Sequence, residues 1–572
     1  MKAQRKTLAW FGVFALTAAA MALLFYRGMS SAALLSAGEH GENVFFRGGV
    51  TQYPLAAVYA WVLYAAALAF LGIAGWQILR TKAGIEKIFL GIAIPLGILY
   101  LFLMAPMAVP DEQSHYQNSY RLSNALLFRW DRMNMGTAAH FDYHGLHGHN
   151  NTASGYDRVI REFFQPMTDP AEKNIKQFDQ NWPMMFLPQA IGIAIGRILG
   201  MNFLPEFYLG RLANLAFYIL IMYTAIRIMP RYKMLMCMTA LLPASLQQAA
   251  SFSYDTYINA TSWLLTALIL KAAWAPEETG AGESLIHGWK RGKLKGLREA
   301  WRTGIGREGT ISKKEIGMIL LAALLWAPAK PVYTPLLLLL LIIPKERFGG
   351  MGRKLLWTGG IILIVLAEAL VFQIGAIGSV AASGNSAGEG LNWEGGKNYT
   401  LGWILSHPAE AIRVMLYSIR IQYRPWLYEC LGSYMAGLTI LLPVRYMKIY
   451  LLLLLICVLR RSGEATEDRG QASLAEDGFR MPGWHRILFL AAAVTAGGLI
   501  LLTMMLAWTS DTSEMIQGVQ GRYFLPLLML PIMCLDNKIL ILKRNPDKVL
   551  LIIGLAMHLM TIGGVLQATM TV

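Results

Sequence analysis

Apolar residues gather in this chain into long blocks separated by polar stretches rich in Lys and Arg. Blocks at about 8–26, 54–78, 88–107, 206–229, 234–251, 254–273, 316–328, 333–344, 355–376, 446–460, 487–507, 522–535 and 548–566 predict an all-α integral membrane protein with about 13 transmembrane helices. The longer blocks approach about 20 residues, enough to cross roughly 30 Å of hydrocarbon as a helix. Several are shorter, which predicts tilted, broken or re-entrant segments. A further apolar stretch, 181–200, is punctuated by Pro183 and Pro188 and carries Arg197 near its end. That pattern suits an interfacial or re-entrant helix, able to wall a groove for a lipid chain, better than a plain span.

Composition agrees, with 55% hydrophobic residues and a mean hydropathy of +0.43. The formal charge of +16 raises the question of nucleic acid, but the cations sit between apolar blocks. Lys2/Arg5/Lys6, Arg80/Lys82/Lys87, Arg227/Arg231/Lys233, Lys290 to Lys314, Lys345 to Lys354, Arg460/Arg461 and Lys538 to Lys548 all fall on one side if the N-terminus is cytoplasmic. The positive-inside rule explains them, so no nucleic-acid partner is expected, and the C-terminus is placed outside. Tyr26 and Arg27 behind the first block favour an uncleaved anchor over a signal peptide. Cys237, Cys430, Cys457 and Cys534 are scattered and imply neither a disulfide framework nor a Cys-based metal site.

Two long connections then lie outside, about 109–205 and 377–445, while 274–315 reads as a solvated cytoplasmic loop. The first outer connection opens VPDEQSHY, placing Asp111, Glu112 and His115 just past a membrane exit. Pro110 suits the first turn of a helix, and residues 111 and 115 then share a face with Glu112 about 100° round. Two carboxylates beside an imidazole can deprotonate a hydroxyl, bind a divalent metal such as Mg or Mn, or cap the helix. Ionisable groups at a membrane exit weigh toward chemistry.

Other polar residues converge on the same side. Arg211 stands at an outer helix mouth, to bind a phosphate, pair with an acid, or snorkel. Asp255, Lys330, and the group Asp511, Glu514, Arg522 and Tyr523 lie in three further outer turns. Each alone reads as a loop charge. Together, acids at 111–112 and cations at 330 and 522 suit an anionic lipid phosphate leaving with growing negative charge. The patch HFDYHGLHGHNN, with His140, His144, His147 and His149, lacks a recognised metal-ligand spacing and reads as an exposed loop. The chain has no Gly-rich phosphate loop and no obvious repeat.

The pieces VPDEQSHY, FLPQAIGIAIGRILG, FYLGRLANLAFY, LLPASLQQAASFSYD, AKPVYTPLLLLLLIIP and VQGRYFLPLL, in that order, resemble a bacterial multispanning family catalogued as a domain of unknown function, DUF2142. The resemblance implies membership of the C-type superfamily of integral-membrane glycosyltransferases (GT-C), which take sugars from polyprenyl-phosphate carriers. By that analogy Asp111 or Glu112 is the catalytic acid, and Arg522 and Lys330 meet the donor phosphate; His115, Arg211, Asp255 and Tyr523, from their placement on the same side, are expected to complete the substrate site. The chain departs from the family's common pattern in two places. Two spans precede the acidic loop's own span, and ECLGSYMAGL stands where a Gly-Trp-Leu-Asp-like stretch is expected. The resulting division is two N-terminal helices over 1–87, a catalytic membrane core over 88–535, and a C-terminal helix over 536–572. The expected function is sugar transfer from a polyprenyl-phosphate donor to a cell-envelope glycan or lipid acceptor outside the bacterial cell membrane. A polymerase or ligase of lipid-linked glycans, or a flippase for them, is the alternative; the scarcity of charge inside the spans, Glu368 being the main exception, favours the enzyme.

Overall fold

The computed structural model describes residues 53–137, 151–165, 172–174, 182–274, 310–382, 398–461, 481–537, 540–542 and 545–571, with isolated helical positions between 12 and 23. Most of the first expected span, the four histidines of the His-rich patch and most of the 274–315 loop lie outside the described residues. In chain order the helices are α1 (Pro54–Arg80), α2 (Ile85–Leu103), α3 (Glu112–Leu126), α4 (Ala153–Glu162), α5 (Leu187–Ile198), α6 (Phe203–Ile228), α7 (Lys233–Ala240), α8 (Pro243–Ala249) and α9 (Asp255–Trp274). They continue with α10 (Lys313–Trp326), α11 (Met351–Ala382), α12 (Leu401–Ser406), α13 (Pro408–Leu431), α14 (Val444–Ile456), α15 (Gly483–Trp508), α16 (Met529–Met533) and α17 (Asp547–Thr571). Three two-stranded ladders are the only sheet among the described residues.

Six helices among the described residues are long and apolar enough to cross a membrane: Pro54–Arg80, Ile85–Leu103, Phe203–Ile228, Met351–Phe372, Gly483–Trp508 and Asp547–Met570. The chain is a helical membrane protein. Other apolar blocks fold differently from plain spans, and proline is the recurrent reason. Block 234–251 is split into α7 and α8 at Pro243. Block 333–344 becomes a 3₁₀ segment, Pro331–Ile342, with Pro335 inside it. Block 522–535 becomes a 3₁₀ segment, Gly521–Leu527, followed by the single turn of α16. Proline removes an N–H and clashes with the preceding turn, which favours a break at these positions, although α2 and α13 carry Pro95 and Pro425 inside continuous helices. The stretch 181–200 is a 3₁₀ turn, Pro183–Phe186, leading into the 12-residue α5, too short to span. Ile191, Ile195, Ile198 and Leu199 form its exposed apolar side, as expected of an interfacial helix.

α6 is the hub around which the candidate site is arranged, packing against α2, α5 and α9. A Cβ at Gly192 of α5 would lie 2.5 Å from the Leu209 carbonyl oxygen, so only glycine lets the two helices come this close. The turn after α2, Met104 to Val109, is almost fully buried. Asn151 fastens it from outside, accepting from Ala105 N at 2.7 Å and donating to Leu103 O at 3.1 Å and to Thr569 Oγ1 of α17 at 2.8 Å.

Candidate functional site

The exit from α2 leaves carbonyls with no partner in the helix, as any helix C-terminus does. Arg211, projecting from α6, supplies the missing donors: Nη1 donates to Leu101 O at 3.1 Å and Met104 O at 2.6 Å, and Nη2 to Ala105 O at 2.9 Å. Its remaining two N–H groups form a bidentate pair with Glu112, Nε to Oε1 at 2.8 Å and Nη2 to Oε2 at 2.6 Å. Both side chains are 0% exposed. All five donors of the guanidinium are therefore used inside the protein, and none is left over for a phosphate. Glu112 Oε1 also accepts from Phe252 N at 3.1 Å, which fixes the connection between α8 and α9. Asn214, one turn along α6, holds the same connection through Ser251 O at 2.7 Å and Thr256 Oγ1 at 3.1 Å.

That connection carries Tyr254 and Asp255 to the side of α3 where Asp111 stands. Asp111 sits at the N-cap of α3 in a left-handed conformation, φ 59° and ψ 8°, and its side chain makes no capping bond. Such backbone is uncommon outside glycine, although Asp and Asn tolerate it best. Turned out of the helix this way, the Asp111 carboxylate is 55% exposed and pairs with Nη2 of Arg522. Arg522, at the start of the 3₁₀ segment 521–527, is 8% exposed. Its Nε lies 3.4 Å from Asp255 Oδ2, and Lys330 Nζ donates to Asp255 Oδ1 at 3.0 Å. The four charges thus form a chain, Asp111–Arg522–Asp255–Lys330, drawn from four separate parts of the sequence. Tyr523 and Tyr254 flank it, their ring centroids 4.5 and 5.2 Å from Lys330 Nζ. His115, on the face of α3 it shares with Asp111, is buried with its ring 4.3 Å from that of Tyr254.

Two atoms in this chain of charges are unsatisfied. Nε and Nη1 of Arg522 are buried and have no hydrogen-bond acceptor among the described residues. Buried guanidinium donors without acceptors are costly, so these two groups are suited to an anion. Burial pushes the Asp111 carboxyl up, but Arg522 and then His115 outweigh it and hold the group below the usual carboxylate range. The carboxylate is therefore ionised and, while paired, a weak proton acceptor.

The expected catalytic and substrate-binding residues lie within this region, in two arrangements: Glu112 and Arg211 form a sealed pair, whereas Asp111, His115, Asp255, Lys330, Arg522 and Tyr523 surround the half-open cluster. Asp511 and Glu514 stay exposed. Tyr254, Phe252 and Glu429 were not picked out. Tyr254 adjoins Asp255, and Glu429 is the lone acid in the aromatic stretch RPWLYEC, a signal that was there to be used. Among the described residues no group of three or more His, Cys, Asp or Glu side chains is placed to hold a metal ion. All four cysteines are free.

A family profile described as "Predicted membrane protein (DUF2142)" matches residues 94–287 and 302–531, most of the chain. Comparison with curated proteins and with solved structures gives no match. Both the sealed pair and the open cluster lie within the matched residues, and the chain belongs to the DUF2142 family.

Proposed function

We propose that this DUF2142 protein is a membrane glycosyltransferase that moves a sugar from a polyprenyl-phosphate donor to a cell-envelope glycan or lipid acceptor, with its N-terminus cytoplasmic and its site on the outer side. The observation that carries the reading is a buried arginine, Arg522, that has unsatisfied donors and is paired with a half-exposed carboxylate. In the proposed reaction the acceptor hydroxyl oxygen bonds to the anomeric carbon as the bond from that carbon to the donor phosphate oxygen breaks. The hydroxyl proton passes to Asp111, and the departing phosphate carries its negative charge toward Arg522 and Lys330. No nucleotide is needed.

The ion pair gives the two halves of this reaction an order. A phosphate that takes the Arg522 fork releases Asp111 from its partner. The pull that holds the carboxyl low is then shared with the phosphate, and its pKa climbs toward the ordinary value of about 3.9 or above. Asp111 becomes a better base only once a donor is present. Glu112, locked to Arg211, is assigned the support of this arrangement and Asp111 the proton transfer.

Polyprenyl-linked sugars and envelope glycans in a strain lacking the protein test the reading. The expected result is accumulation of one lipid-linked sugar and loss of that sugar from an envelope product, restored by the wild-type chain and not by Asp111→Asn. An unchanged lipid and glycan profile would sink it. A cysteine at Ser114 tests sidedness: it should react in intact cells with a membrane-impermeant thiol reagent, and one at Gly292 only after permeabilisation. The reverse pattern would put the cluster in the cytoplasm, where nucleotide sugars could serve as donors.

A further inference from the structure

Arg522 owes its place to the residue before it. Gly521 donates its N–H to Glu429 Oε2 at 2.6 Å. A Cβ at 521 would fall 2.2 Å from the Trp426 carbonyl oxygen, 2.6 Å from Glu429 Cβ and 2.7 Å from Cys430 N. The chain therefore lies directly on the last turn of α13, where no residue but glycine fits. That turn is fixed from behind as well. Gly432, at φ 106°, closes α13 so near to α8 that a Cβ on it would sit 2.7 Å from Pro243 Cβ and 2.9 Å from Ala244 N. Ala436 N donates to Gln247 Oε1 of α8 at 2.8 Å. α8 in turn leads into the connection that presents Tyr254 and Asp255. A continuous packed path thus runs from the Asp255 side of the cluster, through α8 and α13, to the peptide that carries Arg522.

Along this path Glu429 touches the Arg522 segment through a short hydrogen bond to its backbone. Burial pushes its carboxyl above the usual range, against the pull of the Gly521 N–H and of Arg522, so the acid sits where solvation is poor. An acid retained in such surroundings needs a compensating partner, and the Gly521 peptide is that partner. Recognition of a phosphate by a planar fork is sensitive to displacements well under 1 Å.

We propose that Glu429 is a positioning residue, holding the Gly521 peptide so that the unsatisfied donors of Arg522 face the donor phosphate. It touches no substrate itself. The proposal rests on the donor-phosphate reading of Arg522, and two readouts keep the two claims apart.

The first is binding of a polyprenyl monophosphate to the full chain in lipid nanodiscs, with Arg522→Gln as the reference for loss. Glu429→Gln keeps an acceptor oxygen and should bind within about twofold of wild type, whereas Glu429→Ala, which orphans a buried N–H, should bind about tenfold more weakly. Glu429→Asp keeps the charge but falls short of the peptide, and should lie between them. The second is the rate at which phenylglyoxal modifies Arg522, followed by peptide mass spectrometry. It should be slow in wild type and Glu429→Gln and several-fold faster in Glu429→Ala or Glu429→Asp. Unchanged Arg522 reactivity in both the Ala and Asp variants would overturn the positioning role, whatever the binding result. Wild-type binding that Arg522→Gln does not weaken would instead overturn the donor reading, and the reactivity would still decide what Glu429 does.

Discussion

Two arginines meet two neighbouring acids in this protein, and they do so in opposite ways. Arg211 is sealed: five donors, five acceptors, a carboxylate partner with no exposure, and three helix-end carbonyls closed off. Arg522 is nearly as buried but incomplete, with Nη2 on Asp111, Nε held only in a long ion pair to Asp255, and Nη1 without an acceptor. A fully satisfied buried pair fixes structure, whereas an under-satisfied one beside an exposed carboxylate is poised to exchange partners. The contrast turns on consecutive residues, because left-handed backbone at Asp111 sends its side chain outward while Glu112 begins the helix and points in.

The largest separation between the two arrangements is expected in transfer rate. Asp111→Asn should lower it by about 10²–10⁴-fold, the usual cost of removing a general base, while the protein melts close to wild type. Equal, near-wild-type rates for Asp111 and Glu112 variants would break the comparison at its root. The next effect should appear in stability. Arg211→Ala leaves a buried carboxylate and three carbonyls unpaired, and should cost about 3–5 kcal/mol, read as a steep fall in melting temperature and in membrane-inserted yield. If Arg211→Ala melts like wild type and loses only donor binding, the sealed pair has been assigned the wrong role.

How much of this could be read from the sequence is clearest in the same residues. The all-α membrane architecture was legible, because apolar blocks and basic connections follow directly from the bilayer's thickness and charge rule. Blocks broken by Pro243, Pro335 and Pro526 were read as spans and are short or 3₁₀ instead, since summed hydropathy does not register one missing N–H. The charged residues gathered around Asp111 were all named from the sequence. Their division into a sealed and an open set was not, because it depends on one positive φ and on which carbonyls α6 happens to face. Glu429 stands out in the sequence as the lone acid of an aromatic stretch, but its partner is a backbone N–H, which has no sequence signature.

A smaller effect concerns pH. Asp111 is held below its ordinary value in the folded state, so its pairing stabilises the fold above about pH 4, where the unfolded group is ionised, and the gain is lost as pH falls through the lowered folded value. Thermal melts between pH 3 and 7 should therefore show a margin of wild type over Asp111→Asn that shrinks on acidification. A margin that grows at low pH would contradict the direction of the shift.

The most direct measurement is the dependence of transfer rate on donor concentration for wild type and Arg522→Lys in purified protein, with melting temperatures taken alongside. Lys keeps the charge and loses the fork, so the account predicts about a tenfold rise in donor KM with a nearly unchanged melting temperature. An unchanged donor KM would leave Arg522 as a structural anchor like Arg211 and remove the distinction between them.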